Sequence, residues 1–266
     1  MQDCAFCLIA AQVVKGLIVG VQGSGERLDR QREDCLGQLQ AVAHAATTAL
    51  GSVTENPVYL AASEGQPSGR VLSTGGFHNG AAAPAINWLT ASWADLALVA
   101  QRQVTAMHSA TSGLPHLLAP PGFIPGAAGG ATNLFGWVAT GLVEEARALA
   151  APTLLPATIN DTQNDIATPT FGAYRSQHRA AECLDSVLTI LALVSSQALS
   201  VTSRYPAPPL AGLLNGIRSV FPPVQTEREG QGTQAAELAA IFSRAALTGQ
   251  PDFPGHRAQA SPQPSP

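Results

Sequence analysis

Apolar residues recur at helical spacing along most of the chain. Between Arg30 and Leu50, the residues Leu36, Leu39, Val42, Ala46 and Leu50 share one face of a 3.6-residue period. From Pro84 to Met107, Ile86, Leu89, Trp93, Leu96 and Ala100 do the same, with Pro84 in a first turn where its missing N–H is harmless. Ala131 to Ala150 predicts a third helix, stopped by Pro152. The longest, Tyr174 to Val201, carries the stripe Leu184, Val187, Leu191, Val194 and Ala198. A shorter one, Thr233 to Leu247, opens on a Thr cap and ends before Gly249. Strand patterning is confined to Val58–Ala61 and Arg70–Leu72, which would pair as a small hairpin across the polar turn Glu64 to Gly69. The pattern predicts an all-α fold, a bundle of long helices.

Breakers mark the connections. Gly20–Arg30, Pro115–Gly130, Pro152–Phe171 and Tyr205–Gly232 are rich in Gly, Pro or polar residues and read as irregular. Pro251 to Pro266 holds Pro, Gln, Ser and Ala with no periodic face, so the expectation is a helical domain over 1–250 and a disordered tail over 251–266. There is no internal repeat.

Composition adds a partner argument. Charged residues make up 12% of the 266 positions and hydrophobic ones 45%. That charge is about half the usual share, so much of the surface is apolar or merely polar, as in chains that pack against other subunits. The net charge is −4. With Lys15 as the sole lysine and no basic run, a phosphate backbone or an anionic membrane surface is a poor partner. Four cysteines make no disulfide framework, which points to a reducing cytoplasm. The apolar stretch Cys4 to Val21 approaches membrane length, but Gln12 and Lys15 interrupt it. A central Lys costs about 2.5–3.5 kcal/mol on insertion. A helix buried inside the bundle is the better reading.

Single motifs carry little chemistry. Cys4 and Cys7 have redox spacing but lie in an apolar run with no strand before it, as buried structural cysteines do. Gly20, Gly23 and Gly25 sit in no strand–helix unit, so they are no dinucleotide fingerprint. The histidines at 44, 78, 108, 116, 178 and 256 lack zinc spacing, and no metal site is expected.

Three segments in order change the picture. Ser52-Val53-Thr54-Glu55-Asn56-Pro57 precedes Ser73-Thr74-Gly75-Gly76-Phe77-His78, and Leu155-Pro156 precedes Gln163-Asn164-Asp165. This order resembles the C-terminal half of the histidine and aromatic amino acid ammonia-lyases, which read S-x-S/T-D-N-P, S-G-G-N-F-H and an L-P…Q-E-D or N-Q-D segment. Gln2-Asp3 through Gln12-Val13 is similar to that family's Q-D-x-Y-S-L-R-x-x-P-Q-V, and Met107 to Leu118 to its M-D-S-x-x-S-x-L-P-P-F-L. Glu144 to Arg147 falls where the family has S-E-N-K. The resemblance spans residues 2 to 245.

What the resemblance implies is a helical bundle assembled as a tetramer, with each active site built from several subunits. Its electrophile, a methylidene-imidazolone ring, forms from an internal Ala-Ser-Gly that belongs upstream of the matched segments. Thr111-Ser112-Gly113 is no substitute; it falls in the Met107–Leu118 segment and reads as a helix-end turn. The expectation is that a partner chain supplies the prosthetic group. Gln2 matches the family's active-site Gln, and Phe77 the Phe whose ring packs beside the electrophile. An exposed terminal residue and a core aromatic are the plain alternatives at these two positions. Ala5 replaces a Tyr, Leu8 the Arg that clamps the substrate carboxylate, and Asn164, beside Gln163, a Glu or Gln. Losing that Arg forfeits a bidentate contact worth a few kcal/mol, so a free amino acid would bind poorly. An insertion over Val19 to Arg32 reads as a loop inside a helix that the family keeps continuous. Two functional readings follow: the C-terminal subunit of a split lyase-like enzyme, or a degenerate non-catalytic scaffold of the same fold.

Overall fold

The computed structural model describes residues 24–52, 55–75, 80–109, 113–123, 132–154, 168–206, 208–226, 231–248 and 252–253. Six α-helices occur among them: α1 (Ser24–Gly51), α2 (Ala82–His108), α3 (Asn133–Leu149), α4 (Thr170–Val201), α5 (Ala211–Val220) and α6 (Gln231–Thr248). One antiparallel hairpin joins β1 (Val58–Leu60) to β2 (Arg70–Leu72), with Val58 opposite Leu72 and Leu60 opposite Arg70. Among the described residues the fold is all-α with this single hairpin, as the periodicity predicts.

Two expectations need correction. The predicted loop over Val19 to Arg32 is helical from Ser24 onward. Between Gly25 and Gly37 the chain holds no breaker and many strong helix formers (Glu, Arg, Leu, Gln), so the helix propagates back from its packed portion. The stretch Tyr205–Gly232, expected to be irregular, contains α5. Prolines at 206, 208, 209, 222 and 223 bracket that helix, and Gly212 and Gly216 dilute its pattern. Leu214, Ile217 and Val220 nevertheless recur every three residues and are buried.

The chain divides into two compact units. One comprises residues 33–95 and 145–181. In it Cys35 of α1 donates its S–H to the Ser92 carbonyl at 3.4 Å, tying α1 to the first half of α2. Leu89, Trp93 and Ala94 are buried there, as are Ala146, Ala173 and Ala180. Arg179 grips Glu145 with two N–H donors, at 2.6 and 3.0 Å, joining the start of α4 to the end of α3. The predicted α1 stripe is only half covered: Leu36, Leu39, Val42 and Ala46 are intermediate, and Leu50 is 89% exposed.

The other unit comprises residues 1–32, 96–144 and 182–266. Its core brings together Leu96, Ala100 and Val104 of α2, Ala139 and Val143 of α3, and the second half of α4. Every residue from Val187 to Gln197 is buried. α4 is long and apolar enough to cross a membrane, yet 78% of its most apolar window is buried inside the protein, which marks a core helix. Its polar members are satisfied internally. Gln197 donates from Nε2 to the carbonyls of Leu118 and Val224 at 3.1 and 3.0 Å, while its Oε1 accepts from the Val224 N–H at 2.8 Å. One side chain thus closes three backbone groups that would otherwise be orphaned. Within the 251–266 segment Asp252 and Phe253 are described, and Phe253 is buried against Phe242 of α6, ring centroids 6.2 Å apart at 83°.

Candidate functional site

The residues that the resemblance assigns to chemistry, Gln2, Ala5, Leu8, Phe77, Gln163 and Asn164, all lie outside the described residues. So do Cys4–Val21, the apolar N-terminal stretch. What the structure does describe is the frame on either side of Phe77 and Asn164.

The frame before Phe77 is built around Asn56. Its Oδ1 accepts from the Thr74 N–H at 2.8 Å and from the Ser73 hydroxyl at 3.1 Å. Thr74 returns a bond from its own hydroxyl to the Glu55 carbonyl at 2.6 Å. The two sequence segments are therefore physically joined: the Asn-Pro end of the first holds the Ser-Thr start of the second. The hairpin makes this possible, because pairing Val58 with Leu72 brings the flanking residues into register. Asn56 thus positions the second segment, a role beyond the shared signature; the Asn-Pro dipeptide beside a predicted strand is the sequence signal for it.

The frame after Asn164 is the first turn of α4. Thr168 shares a hydroxyl bond with Thr170 at 2.8 Å and accepts weakly from its N–H at 3.4 Å, a side-chain cap on the helix entry. Phe171 and Tyr174 follow on one face, 73% and 56% exposed. Tyr174 stacks on His178, centroids 6.2 Å apart at 16°. Gly172 lies close under Thr153. Both frames belong to the same unit, residues 33–95 and 145–181.

In the other unit, Gly113 has φ +74°, the left-handed geometry of a turn beyond a helix end. That fits the turn reading of Thr111-Ser112-Gly113, of which the first two lie outside the described residues. Two titratable groups there are electrostatically marked. His108 is buried and has its pKa lowered to about 4, first by burial and then by His116. Arg218, its pKa also lowered by burial, donates to the Ser196 hydroxyl and carbonyl, both at 3.3 Å. Among the described residues no three His, Cys, Asp or Glu side chains cluster to hold a metal ion.

Comparison with known proteins identifies this frame. The bundle superposes on histidine ammonia-lyase from Trypanosoma cruzi with a TM-score of 0.72 at 19% identity, over 92% of this chain and 54% of that one. It superposes on the ergothionase of Treponema denticola with a TM-score of 0.71 at 13% identity, over 92% and 57%. These likenesses define the fold class, the helical bundle of the ammonia-lyases. The family-specific sequence pattern of the aromatic amino acid lyases matches residues 34–219, and the chain belongs to that family. A curated relative, histidine ammonia-lyase of Caenorhabditis elegans, is 28% identical over 210 residues, 73% of this chain. The chain spans only 29% of that relative's length.

Proposed function

We propose that the chain works as the C-terminal part of an ammonia-lyase-like enzyme, paired with a partner chain that carries the electrophilic prosthetic group. The observation that carries this reading is the family match over 34–219. Gly113, at φ +74°, has the geometry of a turn beyond a helix end, and in this reading the ring comes from the partner. When bound in a complete site, the ring would supply the electron sink for an elimination. This chain's contribution would be Gln2, a neutral amide able to donate and accept, with Phe77 beside the ring and Asn164 and Gln163 along the substrate.

Exposed apolar surface supports a partner. On α3, Leu134, Trp137 and Val138 are 47%, 69% and 53% exposed, at the i, i+3, i+4 spacing that makes one helix face. The α1 stripe is half open, with Leu50 fully so. Such faces are what subunit packing covers, in a hetero- or homo-oligomer of the tetrameric kind. Leu8 in place of the carboxylate clamp favours a substrate without a free carboxylate, such as a carrier-bound or esterified amino or hydroxy acid. A cytoplasmic location belongs to the same reading.

The test is co-expression with an Ala-Ser-Gly-bearing partner encoded nearby, purification of the complex, and an absorbance assay for the unsaturated product. Product formation that disappears with Gln2→Ala supports the reading. A stable complex without product from any candidate substrate favours the second reading, a non-catalytic scaffold, to which Ala5 and Leu8 already lean by lacking the phenol and guanidinium. Failure to associate with any such partner removes both.

A further inference from the structure

α2 ends on a histidine with no place to put a charge. His108 is 7% exposed, and its Nε2 lies 2.8 Å from the Thr132 hydroxyl, just before α3. On the other side of the ring, α3 passes so close that a Cβ at Gly136 would stand 3.3 Å from Nδ1. Val104 packs beside Gly136 from one turn earlier in α2. In the motif that this segment resembles, the position is an acid; a buried carboxylate and a buried imidazole respond to protons in opposite senses.

Among the described residues, the groups around the ring offer no relief. The segment after α2 brings His116, which would add like charge. α3 offers Thr132 and Gly136, and its first acid, Glu144, comes two turns later. α4, whose Ser195 hydroxyl lies against Met107, has no ionisable residue from Ser186 to Val201. On α2 itself the nearest charge is Arg102, again of like sign.

The segment carrying His116 is also under backbone tension. Leu117 and Leu118 have φ of +53° and +56°, a left-handed conformation that side chains with a Cβ avoid. It is held there by Gln197, which donates to the Leu118 carbonyl at 3.1 Å. A strained segment held by Gln197, next to a buried proton acceptor, has the parts of a two-state element.

We propose that His108 is a proton-operated latch: neutral, it fastens the end of α2 to Thr132 and the start of α3; protonated, it releases them together with residues 113–123. In the released state Nδ1 and Nε2, both donors, reach water, and the like charge of His116 moves away.

The experiment is amide hydrogen exchange at pH 7.5 and pH 5.0, corrected for intrinsic rates, with far-UV circular dichroism at both. A ring that titrates near 4 when closed and near its ordinary 6.5 when open raises the opening constant about 30-fold over that interval. The expected result is a loss of protection of that size at residues 116–119 and 133–136, while helical content and protection in α6 persist. His108→Gln, which retains a donor toward Thr132 but cannot titrate, should abolish the difference. The latch is overturned if His108→Gln keeps the wild-type pH dependence, or if helical content collapses together with the exchange. Should the variant not fold, ring titration of His108 by NMR in the unaltered protein decides: a midpoint near 6.5 overturns the proposal, and one well below it supports it.

Discussion

Replacing Gly216 by Ala should have opposite effects in two backgrounds. A Cβ built at Gly216 overlaps the Cγ–Cδ2–Cε2 edge of the Phe253 ring, so the methyl and the seated ring cannot coexist. Phe253 is 5% exposed and meets Phe242 edge-on. Removing a buried phenylalanine costs about 3–5 kcal/mol in well-packed cores, and about 0.5–1.5 of that reflects aromatic pairing. Phe253 lies beyond the last helix, where the chain can relax, so the lower end, about 3 kcal/mol, applies to Phe253→Ala. Gly216→Ala expels the same ring, but Ala gains about 1 kcal/mol over Gly inside a helix. The net for Gly216→Ala alone is a loss of about 2 kcal/mol. In the Phe253→Ala background nothing is left to expel, and the same change should stabilise by about 1 kcal/mol. Urea unfolding followed by circular dichroism measures all four corners of the cycle. If Gly216→Ala destabilises equally with and without the ring, the packing of Phe253 onto α5 is wrong.

Other perturbations have comparably direct outcomes. Gln197→Leu keeps the volume but orphans the Leu118 and Val224 carbonyls and the Val224 N–H, at about 1–3 kcal/mol each; urea titration should show a loss of at least about 3 kcal/mol. Asn56→Ala removes the acceptor for Thr74 and Ser73 at an exposed corner, costing about 1 kcal/mol globally; amide exchange at Thr74 should rise sharply while α4 is unchanged. Burial depresses the pKa of His108 to about 4, so in the range below 6.5 the unfolded chain binds the proton first. Its contribution is fully present above pH 6.5 and falls by at most about 1.4 kcal/mol per pH unit until pH 4, which urea midpoints in a pH series should trace.

The fold was readable because its signal is long-period and redundant. α2 and α4 carry apolar stripes over many turns, and Leu89, Trp93, Leu96, Leu184, Val187 and Leu191 are all buried where the period puts them. α5 escaped notice for a local reason: ten residues, two of them glycine, between proline clusters leave too few turns for periodicity to outweigh the breakers. The start of α1 was misread because composition near Gly20–Gly25 suggested a loop, while the helix is extended by its packed neighbour at Cys35. For the candidate site, residue order was legible and geometry was not. The segments around Asn56 and Thr74 are recognisable in one dimension, but their bond depends on hairpin register, a long-range property. Phe253 shows the same limit: nothing in Pro251–Pro266 announces a packed ring, because its socket is the missing side chain of Gly216.

The buried midsection of α4 has a consequence for how this chain can vary. An ordinary surface helix tolerates change on one side, so a complete substitution scan along it rises and falls with each turn. From Val187 to Gln197 every residue is enclosed, and no side faces outward. A scan there should show an unbroken plateau of intolerance about three turns long. Dyes, tags, charged handles and natural drift alike must find their openings elsewhere, on the exposed polar positions of α1 and the hairpin.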